Sequence, residues 1–142
     1  MESADYPNNF TFIFKHIKMM RTNITEVKTL LGTITEASDA TIEAYITAAN
    51  VMVSGMLQPT SLSDSTLTEI EKHIAVHFIV LYLERIAKRE KAGEVEVEYY
   101  GDYSMNGLQS TPYGQTAIML DLTGTLRIMD ANRAYMKAVK SR

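Results

Sequence analysis

Two histidines four residues apart, His73 and His77, have the spacing in this chain that comes closest to a metal site. Residues i and i+4 share one face of a helix, and the zinc-protease signature places two ligands in this way. That signature also needs a glutamate directly after the first histidine, and Ile74 occupies that position here. No third ligand is evident, so we interpret both histidines as core or interface residues and predict no metal site.

A second group that could do chemistry is acidic. Residues 94–99 alternate between acidic and apolar side chains, which is the pattern of a half-exposed strand. Paired carboxylates can perform acid–base catalysis where their environments differ. We favour a solvated edge strand, on which charges oppose strand-to-strand aggregation. The acidic positions are Glu94, Glu96 and Glu98.

Other kinds of catalytic or cofactor site find little support in the sequence. The chain has no cysteine and three histidines, and no nucleophile–base pair stands out. Gly101, Gly107 and Gly114 are turn glycines that match no phosphate-binding loop. We therefore predict that the protein is not an enzyme and holds no cofactor.

Charge is distributed unevenly over the second half of the chain. Residues 94–102 contain acids and no base, whereas residues 127–142 contain five bases and one acid, Asp130. The bases are either a solvated tail that suits the dipole of a last helix, or an arm that becomes ordered on an acidic partner. That partner would be residues 94–102 of an adjacent copy, in a head-to-tail contact, or an acidic groove on another protein. The bases are Arg127, Arg133, Lys137, Lys140 and Arg142.

Composition places the chain among ordinary soluble domains. Its 142 residues suit one domain, and 46% apolar with 22% charged residues suffice for a core. A net charge of −3 argues against a general binder of nucleic acid or anionic membrane. The absence of cysteine fits a reducing cytoplasm. The longest apolar run, residues 74–83, is far shorter than the ~20 residues of a membrane span, and we find no signal peptide.

Helix signals divide the chain. Helices are predicted at residues 24–31 between Asn23 and Gly32, from Ser38 or Asp39 towards Pro59, at 64–91, and at 112–120. The third would be about 42 Å long and apolar nearly all round over residues 74–83, so it should lie centrally with its charged end kinked or projecting. Residues 101–108 would form a second strand that pairs with residues 94–99 as a hairpin. Residues 126–129 look extended, with Asp130 capping a last helix.

The expected fold is mainly α: a small helical bundle with a long central helix, a β-hairpin or extended segment, and a C-terminal arm. Residues 1–21 would form an N-terminal extension, 22–126 the helical domain with the hairpin, and 127–142 a basic arm.

The pieces of the chain follow one another in a specific order: a short helix ending in Leu-Gly, an Ala-Ala-containing helix after Ser-Asp, and Leu-Ser-Asp opening a long apolar helix with a charged end. A Gly-Asp hairpin follows. The most specific pieces are Thr111-Pro112-Tyr113-Gly114-Gln115 and Leu120-Asp121-Leu122-Thr123-Gly124. In this order of pieces, most of the chain, from about residue 24 to 126, resembles the head–tail connector (adaptor) proteins of tailed bacteriophages.

The resemblance implies a structural protein of the virion neck, made in the bacterial cytoplasm. Such subunits form a ring, typically dodecameric, beneath the portal protein and around the DNA path, without reading DNA sequence and without a membrane. The implied partners are the portal protein, a downstream neck or tail-completion protein, and other copies of the chain. Our candidate partner-binding residues are Arg127, Arg133, Lys137, Lys140, Glu94, Glu96, Glu98, Tyr113 and Gln115.

Two other functions stay open at this point. A small helical DNA-binding regulator would use the basic C-terminal helix, but no short turn joins two helices with a basic recognition helix. A small hydrolase would need a nucleophile–base pair that the sequence does not offer.

Overall fold

The computed structural model describes the backbone of residues 20–32, 36–91 and 107–140, and the side chains of 20–32, 36–85 and 107–132. These residues are mainly helical, as predicted, and contain no strand. The predicted strand at 94–99 lies outside them, as does the return strand up to residue 106. The elements are α1 (Ile24–Leu31), α2 (Asp39–Met56), α3 (Asp64–Lys91), a short 3-10 helix (Gly107–Ser110), α4 (Pro112–Leu120) and α5 (Thr125–Lys140).

Capping residues set the bounds of α1. The Asn23 side chain accepts a hydrogen bond from the Glu26 backbone N–H at 3.0 Å, and the helix ends at Gly32 with a positive φ of +71°. The Glu26 carboxylate accepts a hydrogen bond from the Thr22 hydroxyl at 2.8 Å.

The bounds of α2 and α3 also follow the sequence signals. Ser38 accepts from the Thr41 N–H at 3.2 Å and starts α2. The helix ends at Met56, before the turn that contains Pro59. α3 runs unbroken from Asp64 to Lys91, as predicted.

α3 is the central helix of the core. It packs against α1, α2 and α4. Within the all-round apolar stretch, residues 74–77 and Ile79 are buried, whereas Phe78 and residues 80–83 are partly exposed. Tyr45 of α2 lies beside this stretch, with its ring 5.7 Å from that of Tyr82. The largest buried apolar side chains are Ile42, Ile46, Leu57, Ile70, Ile74, Ile79, Leu126, Val27, Val53 and Val76.

The prediction of an extended segment at residues 126–129 is wrong, because α5 already begins at Thr125. The Asp121 carboxylate accepts from the Leu126 N–H at 2.8 Å, which satisfies one of the free N–H groups of the first turn. Asp130 therefore lies inside the helix and is not its cap. Leu126 is fully buried, so the predicted boundary between residues 126 and 127 falls within a helix that belongs to the core.

A buried ion pair ties the start of the described chain to α2 and α3. Arg21 Nη1 lies 2.8 Å from Glu71 Oε2, with the side chains 5% and 0% exposed. The other Glu71 oxygen accepts from the Arg21 backbone N–H at 2.9 Å, and Asn50 donates to Oε2 at 3.1 Å. Arg21, assigned by sequence to the N-terminal extension, is thus part of the core. None of the described helices is long and apolar enough to cross a membrane.

Arg21→Met should lower the free energy of unfolding by about 3–5 kcal/mol, since it leaves the Glu71 carboxylate buried without its cation. Lys28→Met removes the exposed Lys28–Asp39 pair (side chains 40% and 68% exposed) and should cost less than about 1 kcal/mol. A chain that begins at Met19 keeps Arg21 and should match the full chain. Urea titrations of the three variants measure these differences, and equal losses for the two Met variants would contradict a structural role for Arg21.

Candidate interaction surface

The first turn of α4 is fixed onto α3 by a buried hydrogen-bonded group. Thr111 caps α4 by accepting from the Gly114 N–H at 3.1 Å. The same hydroxyl lies 2.7 Å from Nδ1 of His77 on α3. Gly114 has no room for a side chain, because a Cβ there would collide with the Leu108 carbonyl oxygen.

Two buried aspartates hold α5 against the same region. Asp121 links the end of α4 to the start of α5 through the Leu126 N–H. Asp130 Oδ1 accepts from the Leu108 N–H at 3.0 Å, which joins α5 to the 3-10 helix. The aspartates are 4% and 7% exposed, so both carboxylates are committed to backbone donors inside the protein. Their positions fix the surface that α4 and α5 present.

This surface contains a shallow groove, which we call the α4–α5 groove. It is lined by Gln109, Gln115, Ile118, Met119 and Arg127. The Gln115 side chain donates to the Gln109 carbonyl oxygen at 2.8 Å, so one polar wall is already held in place. The groove thus combines two amides, an apolar floor and one cation.

Large apolar side chains are exposed on α4, on α5 and in the turn between them. Met119, Leu122 and Ile128 are 74%, 88% and 61% exposed. A single exposed apolar side chain is ordinary, but these three fall within ten positions of the chain, and Met119 lines the groove. Exposed apolar residues grouped with a few polar ones are typical of an interaction surface.

The charge of this surface has one sign. Among the described side chains of 107–132 the charged residues are Asp121, Asp130 and Arg127, and only Arg127 is exposed. Residues 133–142 add four bases and no acid by sequence. Because the two acids are buried and hydrogen-bonded, the surface offers positive charge alone to a partner.

The structure brings two of the predicted partner-binding residues, Gln115 and Arg127, together in the groove. Tyr113 is partly buried and packs on the core, outside the groove lining. The backbone of α5 includes positions 133, 137 and 140, but their side chains are not among those described. The other predicted residues, Glu94, Glu96 and Glu98, lie outside the described residues.

Sequence reasoning missed Gln109, Leu122 and Ile128 as surface residues. Leu122 carried a signal, since an apolar residue in the turn between α4 and α5 has little to pack against. Methionine is flexible and suits an adaptable interface, and Met119 is well exposed.

The two histidines on α3 have different partners. His73 Nδ1 lies 2.7 Å from the Glu69 carbonyl oxygen of its own helix, whereas His77 Nδ1 lies against Thr111. Across the described part of the chain, no three His, Cys, Asp or Glu side chains are grouped so as to hold a metal ion.

We therefore expect no tight, stoichiometric zinc site, and His73→Ala should affect the protein only through packing. Isothermal titration calorimetry of the full chain with zinc measures this directly. A one-to-one site that is lost in His73→Ala would overturn the prediction.

Gly114→Ala should destabilise the protein by about 1–3 kcal/mol, because the added methyl group overlaps the Leu108 carbonyl. Gly55→Ala is the matched control, since a Cβ there meets nothing within 4 Å. It lies near the end of α2 and should stabilise by up to about 1 kcal/mol. Urea unfolding measures both, and a neutral Gly114→Ala would show that α4 is not docked as described.

Comparisons with known proteins add no relatives to this description. No protein-family model matches the chain, and neither a curated protein nor a solved structure matches it at a significant level.

Proposed function

We propose that this protein is a structural, non-enzymatic subunit of a ring in the neck of a tailed bacteriophage, between the portal protein and a downstream neck or tail-completion protein. The observation that carries the proposal is the α4–α5 surface. It combines exposed Met119, Leu122 and Ile128 with Arg127 on a small helical domain. Such a surface suits contact with another protein, and its single sign of charge calls for an acidic partner.

A second incompletely covered region supports an assembled state. The stretch from Val80 to Leu83 on α3 is apolar yet partly exposed, and the ring of Tyr45 on α2 lies beside its Tyr82. A ring subunit needs two unlike surfaces, one for each neighbour. The α3 stretch and the α4–α5 surface lie on different elements and are available for such roles.

The residues that carry the family resemblance have clear structural tasks in this fold. Thr111 caps α4, Gly114 permits the close approach of Leu108, and Asp121 caps α5. These tasks explain why the fold needs those residue types in that order. The functional proposal depends on the exposed surface and not on these tasks.

The C-terminal arm that can be deleted is shorter than the sequence predicted. Deleting residues 127–142 would remove Asp130, the acceptor for the Leu108 N–H, and would truncate α5 two residues after it begins. The part that can be removed without loss of a described core contact is residues 133–142, which carry four of the five bases.

A DNA-binding regulator is the second candidate, and it is favoured by exposed Arg127 together with the four bases that the sequence places at residues 133–142. Against it stands the net charge of −3 for the whole chain. Fluorescence anisotropy with a labelled 30-base-pair duplex separates the two functions. Sub-micromolar binding at about 0.15 M salt would favour the regulator, because nonspecific binding is far weaker under those conditions.

Purified alone, the chain should be a monomer or weak oligomer at micromolar concentration, and it should form a ring with the portal protein encoded in the same genome. Arg133→Gln/Lys137→Gln/Lys140→Gln should weaken binding to the portal, most strongly at low salt where screening is least. Sedimentation velocity measures the oligomeric state of the isolated chain, and negative-stain electron microscopy shows whether a ring forms with the portal protein.

The control is Lys28→Gln, which removes an exposed cation from α1 and should leave ring formation unchanged. A stable ring of the isolated chain would contradict the prediction that the ring forms only with the portal protein. Failure of the full chain to bind the portal at any salt concentration would contradict the proposed function.

A further inference from the structure

We infer that the α4–α5 groove receives residues 94–100 of a second copy of this chain in a head-to-tail contact; the inference rests on the proposed ring. The occupant has the sequence Glu-Val-Glu-Val-Glu-Tyr-Tyr. Its alternating acidic and apolar side chains match what the groove presents.

The groove has the chemistry to hold such a segment. Ile118 and Met119 supply an apolar floor, and Met119 is 74% exposed and so free to cover valine or tyrosine side chains. Arg127 stands at the same groove and can form a paired, bidentate contact with a glutamate. The Gln109 and Gln115 walls are polar, as suits a segment whose backbone must also be hydrogen-bonded.

The opposite charge is found within the chain itself. Residues 92–106 contain four acids and no base. Residues 107–142 contain five bases and two acids, Asp121 and Asp130, and both acids are buried on backbone N–H groups. Both acids of residues 107–142 are therefore engaged inside the protein, and Arg127 is the exposed charged residue among the described side chains of 107–132. By sequence, the two consecutive segments carry opposite net charge.

A groove on one copy and a segment from the next are unlike surfaces. Their contact leaves each copy with one free groove and one free segment, so the same contact repeats until a rotation closes it. This geometry produces a ring from one kind of interface.

Charge reversal tests the contact in the full chain. One variant carries Arg127→Glu, and the other carries Glu94→Lys, Glu96→Lys and Glu98→Lys. Each alone should self-associate about tenfold more weakly than the unmodified chain, because like charges then meet at the contact. An equimolar mixture should restore association, since each variant's segment matches the other's groove. Sedimentation velocity at low salt and high protein concentration measures this, and Lys28→Glu is the control.

A contact within one chain gives a different result. If the segment bound the groove of its own chain, a chain with all four reversals would regain the contact, whereas an equimolar mixture of the two variants would not regain association. This outcome overturns the inference. Unchanged association of both single variants overturns it as well. A peptide of residues 92–103, labelled with a fluorophore, provides a measurement that is independent of how the segment variant folds. It should bind the full chain, and Arg127→Glu should lower its affinity about tenfold relative to Lys28→Glu; equal affinities contradict the inference.

The proposed function and this inference can fail separately. If the unmodified chain forms a ring on the portal and Arg127→Glu does so equally well, the inference fails and the function stands. If the mixture restores association but no variant binds the portal, the neck function fails and the head-to-tail contact stands.

Discussion

The proposed interaction surface depends on two aspartates that hold backbone N–H groups inside the fold. Asp121 accepts from Leu126 at the start of α5, and Asp130 accepts from Leu108 in the 3-10 helix. Together they fix α5 relative to α4, and a lost acceptor would leave a buried donor unpaired at a cost of about 1–3 kcal/mol. Because both carboxylates are buried, Arg127 is the exposed charged side chain among the described residues 107–132.

Much of the fold follows from local signals in the sequence. Asn23, Ser38 and Thr111 are strong N-caps, and each starts a helix where the sequence placed one. The long helix was predictable from its continuous apolar period and its charged end. Local signals failed at residues 126–129, because the residue that satisfies the first turn of α5 is Asp121, five positions before the N–H that it accepts from. A capping rule that considers only the residues next to the helix does not find such a contact.

The surface was harder to predict than the fold, for a physical reason. Gln115 and Arg127 are twelve residues apart, and they line one groove only because α4 and α5 pack against the 3-10 helix through tertiary hydrogen bonds. Exposure of Met119 and Ile128 likewise depends on which helix faces turn inward. The buried pair of Arg21 and Glu71 belongs to the same class of feature, since its partners lie fifty residues apart and no short pattern joins them.

The absence of cysteine makes a direct test of the head-to-tail account practical. Gln115→Cys places a thiol in the groove, and Glu96→Cys places one in the acidic segment. Mixed under mild oxidation, the two single variants should yield a cross-linked heterodimer in preference to either homodimer, and a chain with both changes should yield a ladder of multimers that ends at the ring size. Denaturing electrophoresis measures the products. A doubly substituted chain that cross-links only within itself, or single variants that form only homodimers, would contradict the account.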